Sequence, residues 1–306
     1  MKDAYATPQA MENAIRSKAR AAGRQMGVNP GDLVSRFYFQ RLLARVFQED
    51  GWILKGGQSL LVRYPGSARA SRDADLFRPV ADDVREAVTA LERAVGRDLK
   101  DYFGFSITSV EVDGNGAKVK LDVLIGRRKK TNIGVDLVVK RTPIGEPTPM
   151  RLSPAVPIDW PDTWPEVLLY PLPDHVADKI CAMYELRERQ DGRLVPSTRF
   201  RDLGDLILIS QQEPLNGRAV QLALLSEVPR RNATAHVVLT LPKAFEIPAP
   251  ESWGRGYPKA ADEITGLRGC RTVAEAHGAA DLFVTPLLSG SDPGIWNPQS
   301  ASWNPR

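Results

Sequence analysis

Ser71-Arg72-Asp73-Ala74-Asp75-Leu76-Phe77 alternates charged with apolar side chains and closes on a hydrophobic pair. That pattern predicts a strand over residues 74–77, and strand residues two apart project to the same side. Asp73 and Asp75 therefore stand together on one face. Carboxylates held side by side repel unless a cation lies between them. Hard oxygen ligands suit Mg²⁺ (or Mn²⁺), which takes one or two carboxylates and fills its shell from phosphates and water. The alternative is a solvated strand edge with two surface aspartates.

Just upstream, Trp52-Ile53-Leu54 runs into Lys55-Gly56-Gly57-Gln58-Ser59-Leu60. A short strand, a tight glycine turn and a helix over 58–63 are expected. Backbone N–H groups at such a helix start, uncovered because glycine has no side chain, suit a phosphate chain. A plain strand-to-helix turn would look the same. Downstream, Val84, Val88, Leu91 and Val95 mark an amphipathic helix over 82–95. Strands follow over 105–112, 118–125 and 133–139, the first two joined by the hairpin signal Asp113-Gly114-Asn115-Gly116. A third acid lies in Ile133-Gly134-Val135-Asp136-Leu137-Val138-Val139, where a charge between apolar neighbours is costly unless paired or metal-bound. Asp122, on a more mixed strand, is its rival. Two helices, 11–25 and 32–49, precede all of this, broken at Asn29-Pro30-Gly31.

Residues 142–173 are rich in Pro and Trp and read as a connector wrapping the surface. Helices are then expected over 174–189, 198–211, 217–226 and 273–288. The tail, 289–306, is either disordered or an extended arm pinned by Trp296 and Trp303. No internal repeat is present. The fold expected is therefore α/β (α+β) with a mixed sheet over 1–145, followed by a mainly helical domain over 146–306. In that second half, Lys179 flanks the buried stripe Val176, Ile180 and Tyr184, so its stem can be buried with the ammonium aimed into a cleft. Ordinary snorkelling to solvent is the alternative. Asp202 and Asp205 lie three apart in Arg199-Phe200-Arg201-Asp202-Leu203-Gly204-Asp205-Leu206, an apolar helix on which at least one acid needs a partner. Asp202 also fits as a first-turn acid beside Arg199 or Arg201.

Composition sets the limits. The 306 residues are 42% hydrophobic and 25% charged, enough to bury a sizeable core. No apolar run is long enough to cross a bilayer, and residues 1–24 are too polar for a secretory signal. Two cysteines, Cys181 and Cys270, imply no disulfide framework, so a reducing cytoplasm is the expected compartment. With three scattered histidines they offer no zinc site. The net charge of +4 favours a polyanionic partner without requiring one.

Read in order, K-G-G-x-S-L, S-R-D-x-D, G-V-D-L-V, A-D-K-I-C-A and R-D-L-x-D-L resemble the AbiEii/AbiGii toxin family of DNA polymerase beta-like nucleotidyltransferases, in particular its MenT-like actinobacterial branch. The resemblance runs from Lys55 to Ile209. It implies a nucleotidyltransferase fold with a helical C-terminal part, a type IV toxin paired with an antitoxin, and transfer of nucleotides from an NTP to the 3′ end of tRNA. By it, Gly56, Gly57 and Ser59 hold the triphosphate, assisted by Arg72, and Asp73 and Asp75 bind metal with Asp136 as third carboxylate. Lys179 contacts the nucleotide phosphates, and Asp202 is the acid of the second half, with Asp205 near it. The superfamily turn is usually Gly-Ser; here it is Gly56-Gly57, with the serine displaced to Ser59.

Arg69 and Arg72 are then placed to steady the triphosphate or meet RNA. Arg127-Arg128-Lys129-Lys130, at a hairpin tip, is the densest basic patch for phosphate contacts. Ser71 is a candidate regulatory site, since a phosphate there would set about two negative charges beside the metal carboxylates. Two other readings fit the same scaffold: a small-molecule, antibiotic-type nucleotidyltransferase, and a non-catalytic nucleotide-binding protein.

Overall fold

The structure, a computed structural model, describes residues 5–158 and 164–305. Part of the Pro/Trp-rich connector (159–163) and of the two chain ends (1–4 and Arg306) lies outside the described residues. Two compact units emerge. One comprises Met1–Gly66, Ala70–Thr142 and Pro147–Leu169; the other comprises Ser67–Arg69, Pro143–Glu146 and Tyr170–Arg306.

The first unit runs α1 (Pro8–Met26), α2 (Pro30–Val46), β1 (Ile53–Lys55), α3 (Gly56–Arg63), β2 (Asp73–Phe77), α4 (Val84–Val95), β3 (Phe103–Asp113), β4 (Gly116–Ile125), β5 (Arg128–Val138), β6 (Thr148–Arg151) and β7 (Glu166–Leu169). Its seven strands form one mixed sheet, β3-β4-β5-β2-β1-β7-β6. β2 pairs parallel to β5 and β1 parallel to β7; the other neighbours are antiparallel. The break between the first helices is built as its sequence demands. Gly27 closes α1 in the left-handed region, and the Asn29 side chain caps α2 with Pro30 in its first turn.

Alternation decides the sheet's two faces. On β4, Ala117, Val119, Leu121, Val123 and Ile125 are buried in one core with Met11 and Ile15 of α1, Phe37 and Leu42 of α2, and Leu91 of α4. Ala74 and Leu76 of β2 and Val135 and Leu137 of β5 join that same core. Asp73, Asp75 and Asp136, one residue out of phase, therefore project from the opposite face.

The second unit holds α5 (Leu172–Tyr184), β8 (Glu185–Glu188), β9 (Leu194–Pro196), α6 (Phe200–Gln212), β10 (Leu215–Asn216), α7 (Gly217–Asn232), β11 (Val237–Leu239), α8 (Pro250–Asp262), α9 (Val273–Leu288), β12 (Ile295–Asn297) and β13 (Ser302–Asn304). No helix among the described residues is long and apolar enough to cross a membrane.

Four expectations need correction. The helix expected over 174–189 stops at Tyr184, because Glu185–Glu188 pairs with β9 and β11 as the centre of a small sheet. The connector supplies β6 and β7, two strands too short and too interrupted by proline to show a period. The helix α8 was invisible because Gly254, Gly256 and Pro258 lie inside it; only Trp253, Tyr257, Ala260 and Ala261 carry its buried face. α7 runs on to Asn232 through Pro229. The tail does form a pinned arm. β12 and β13 make a hairpin whose Trp296 Nε1 donates to the Ser210 carbonyl (2.6 Å) and whose Trp303 Nε1 donates to that of Phe283 (3.1 Å).

The first unit also buries charge. Arg41 and Arg45, one turn apart on α2, both reach Asp101, at 2.7 and 2.6 Å, and none of the three side chains is more than 2% exposed. Removing one partner from such a set leaves uncompensated buried charge, which costs about 3–5 kcal/mol. Asp101→Ala is accordingly expected to lower the unfolding free energy of this unit by that amount, read from urea titrations as the shift in midpoint multiplied by the slope, against the wild type.

Candidate active site

Geometry gathers the acids of the first unit on one patch of the sheet. In the parallel β2–β5 pair, Asp75 lies directly beside Asp136 and Asp73 beside Gly134. Lys55, the last residue of β1, lies beside Asp75 on the other flank. Neighbouring strands are about 4.8 Å apart, so Asp75 and Asp136 are adjacent carboxylates and Lys55 is their cationic neighbour. Asp73 is exposed, Asp75 and Asp136 are half-buried, and Lys55 is buried. Asp122 sits elsewhere, opposite Asn132 on β4, where the Asn132 amide and the Lys129 ammonium both engage its Oδ1 at 2.8 Å.

Two glycines make room for the acids. A Cβ on Gly56 would fall 1.8 Å from Asp75 Oδ2, and Gly56 also has φ +60°, so a side chain there is excluded twice. A Cβ on Gly134 would fall 2.1 Å from Asp73 Oδ1. The Asp73 carboxylate thus rests on the bare backbone of β5, and the Asp75 carboxylate on the first residue of α3.

The α3 entrance is further fixed from the loop before β2. Gln58 Nε2 donates to the Ser71 carbonyl (3.2 Å), Ser71 Oγ donates to the Asp73 carbonyl (3.1 Å), and Ser71 lies against Gly57. Ser59 is buried, and its hydroxyl donates to the Gly56 carbonyl at 2.8 Å, one turn back within its own helix. Arg72 is exposed.

The second unit holds the remaining candidates in one cluster. Lys179 Nζ on α5 donates to Asp202 Oδ1 and Asp205 Oδ2 on α6, both at 2.7 Å. Arg69 grips Asp205 with two hydrogen bonds, Nε to Oδ1 at 3.1 Å and Nη2 to Oδ2 at 2.9 Å. Arg69 therefore serves Asp205, and the expectation that it greets a triphosphate from an open loop does not describe it. Lys179 does not snorkel to solvent; it is buried and doubly paired. Asp202 combines both earlier readings, as a first-turn acid of α6 with Arg199 at 3.7 Å and as a buried partner of Lys179.

Burial works against the ammonium of Lys179, but the facing carboxylates of Asp202 and Asp205 outweigh it and hold its pKa above the ordinary value. Burial likewise works against the Asp205 carboxylate, and Lys179 and Arg69 outweigh it, holding its pKa below the ordinary carboxylate value.

Lys55 and Gly134 are the positions whose importance the sequence understated. Lys55 is a charge closing an apolar strand run, and Gly134 a glycine inside a strand, which marks close approach by another group. Among the described residues, no three His, Cys, Asp or Glu side chains form a ready-made metal cage.

The family model described as "Nucleotidyl transferase AbiEii toxin, Type IV TA system" matches residues 38–271. The chain belongs to the AbiEii nucleotidyltransferase toxin family. It is therefore a nucleotidyltransferase, and AbiEii membership implies an NTP substrate, a divalent metal ion and a cognate antitoxin. Among solved structures it is similar to MenT4, nucleotidyltransferase toxin Rv2826c from Mycobacterium tuberculosis H37Rv, with 17% identity and a TM-score of 0.48, over 84% of this chain and 92% of that one. No curated protein sequence matches it.

The cluster on α5 and α6 makes this AbiEii-family chain's stability pH-dependent in a defined sense. The depressed Asp205 pKa contributes stability above the ordinary value of 3.8, lost as pH falls through the folded value. The raised Lys179 pKa contributes stability below the ordinary value of 10.5, lost as pH rises through the folded value. In urea titrations, the wild type should exceed Asp205→Asn by a constant margin between these limits, and the margin should close as pH drops below 3.8.

Proposed function

We propose that this toxin transfers a nucleoside monophosphate from an NTP to an RNA acceptor, the 3′ end of tRNA, in the cytoplasm, and so blocks translation. The observation that carries the reading is the register of Asp75 with Asp136, with Asp73 resting on Gly134, on the face of the sheet that the core leaves open. Asp73, Asp75 and Asp136 gather on one patch the oxygen donors that a divalent cation such as Mg²⁺ takes, with Lys55, Lys118 and Lys120 in register around them. Asp73 and Asp75, with Asp136 as third carboxylate, would hold Mg²⁺ (or Mn²⁺). When bound, such ions offset charge on the triphosphate and lower the pKa of the acceptor hydroxyl.

The chain's own residues do the rest. The N–H groups of Gly56 and Gly57 at the start of α3 would face the triphosphate, with Arg72 beside them. Ser59, turned back on its own helix, would support the turn rather than reach a phosphate. By the family resemblance Lys179 would contact the nucleotide phosphates and Asp202 would be the acid of the second half; the Lys179–Asp202 hydrogen bond suits Asp202 to orienting the ammonium.

Incubation with each α-labelled NTP, Mg²⁺ and total RNA tests the reading directly. Label is expected in tRNA, and Asp75→Asn should reduce it by roughly a hundredfold or more. Label on a small molecule would favour an antibiotic-type enzyme, and none at all a binding protein.

Ser71 offers a second test, because it touches both Gly57 and Asp73. A negative charge there would meet the same carboxylates and the incoming triphosphate. Ser71→Asp is expected to lose transfer while melting like the wild type, whereas Ser71→Ala keeps it; an active Ser71→Asp enzyme refutes a regulatory role.

A further inference from the structure

The open face of the sheet continues past the acids onto β4. There Lys118 and Lys120 alternate with the core residues Ala117, Val119 and Leu121, and both are exposed. Register places Lys118 beside Asp136 and Lys120 beside Gly134, whose backbone carries the Asp73 carboxylate. The two lysines, Asn132, Glu111, Asp73 and Asp136 line an open cleft of about 420 Å³.

Among the described residues neither Lys118 nor Lys120 makes an ion pair. The basic hairpin tip is different: Lys129 is held by Asp122, Lys130 by Glu12, and Arg128 reaches Gln9. So both lysines of the tip are matched by acids, whereas Lys118 and Lys120, one strand from the candidate site, keep their charge free to take an anion.

Which anion follows from the order of strands, granted the function proposed above. β1 and α3, with the glycine turn for the triphosphate, flank the β2–β5 pair on one side; β4 flanks it on the other. In-line displacement at the α-phosphorus needs the attacking oxygen opposite the departing pyrophosphate. The acceptor hydroxyl therefore enters from the β4 side. We propose that Lys118 and Lys120 form the acceptor subsite, binding backbone phosphates of a polynucleotide strand as its terminal hydroxyl reaches Asp73 and Asp136. Their two ammonium groups, spaced two residues apart along β4, match a strand with one charge per nucleotide, while Asp73 and Asp136 line the same cleft on the side of the reacting hydroxyl. Glu111, beside Lys118 on β3, bounds the strip on its outer edge. Phosphate contacts of this kind position a strand without reading its bases.

The test is the salt dependence of the RNA KM for wild type, Lys118→Ala/Lys120→Ala and Lys118→Arg/Lys120→Arg. Each phosphate contact to a single strand contributes a slope of about −0.7 in log affinity against log salt. The alanine double variant should raise the RNA KM and lose about 1.4 of slope, so its deficit shrinks roughly sevenfold between 50 and 200 mM salt. Its KM for the NTP should not change, and the arginine variant should keep the wild-type slope. An alanine variant with wild-type RNA KM and slope overturns the subsite while leaving RNA transfer by the wild type intact. An arginine variant as impaired as the alanine one does the same, because charge would then not be what matters. If the wild type labels no RNA, the functional reading itself fails, and the subsite with it.

Discussion

Everything at the candidate site depends on one pairing, the parallel register of β2 with β5. It sets Asp75 beside Asp136 with the spacing of neighbouring strands. At about 5 Å and an effective dielectric near 20, two such charges repel by about 3 kcal/mol. Lys55, in register on β1, offsets part of the repulsion, and a bound cation would reverse its sign.

The same pairing explains features that look unrelated in the sequence. The core of α1, α2 and α4 covers the opposite face of the sheet, so a shift of one residue between β2 and β5 would bury the aspartates and expose Ala74 and Leu76. Hydrophobic burial thus enforces the alignment of the acids. Gly56 and Gly134 do the local fitting, each letting a carboxylate lie where a side chain would otherwise be. The buried Arg41–Arg45–Asp101 set ties α2 to the start of β3 at the outer edge of the same sheet.

Much of this was legible in the sequence, and the parts that were not have physical reasons. The strand carrying Asp73 and Asp75, the helix after Gly56-Gly57 and the three long strands were readable because alternation and glycine turns are local signals. Asp136 differs from Asp122 in having apolar neighbours, and those neighbours, Val135 and Leu137, pack in the core where β5 pairs with β2. The strands β6 and β7 escaped because a parallel partner, Leu54 opposite Leu169, lies more than a hundred residues away and leaves no local trace. The glycine- and proline-bearing helix α8 escaped because packing, not propensity, forms it. The partners of Lys179 are only half readable: an apolar helix shows that the acids on α6 need a cation, but nothing local pairs them with a lysine on α5.

Cations in this chain sort by what holds them, and the sorting matters more than the total of +4. Lys179, buried, and Arg69, half-buried, are matched by Asp202 and Asp205. Arg231 is likewise surrounded by Asp178, Glu185 and Glu227. Charges so neutralised hold elements together and contribute little field outside the molecule. The run Arg127-Arg128-Lys129-Lys130 looks strongest on paper, yet two of its lysines are already matched by acids on neighbouring strands and on α1. Lys118 and Lys120 look unremarkable in sequence because they only alternate with apolar residues, as any half-buried strand does. It is that alternation, forced by the core, that leaves them on the same face as the acids, where an unmatched charge is felt by whatever approaches the site.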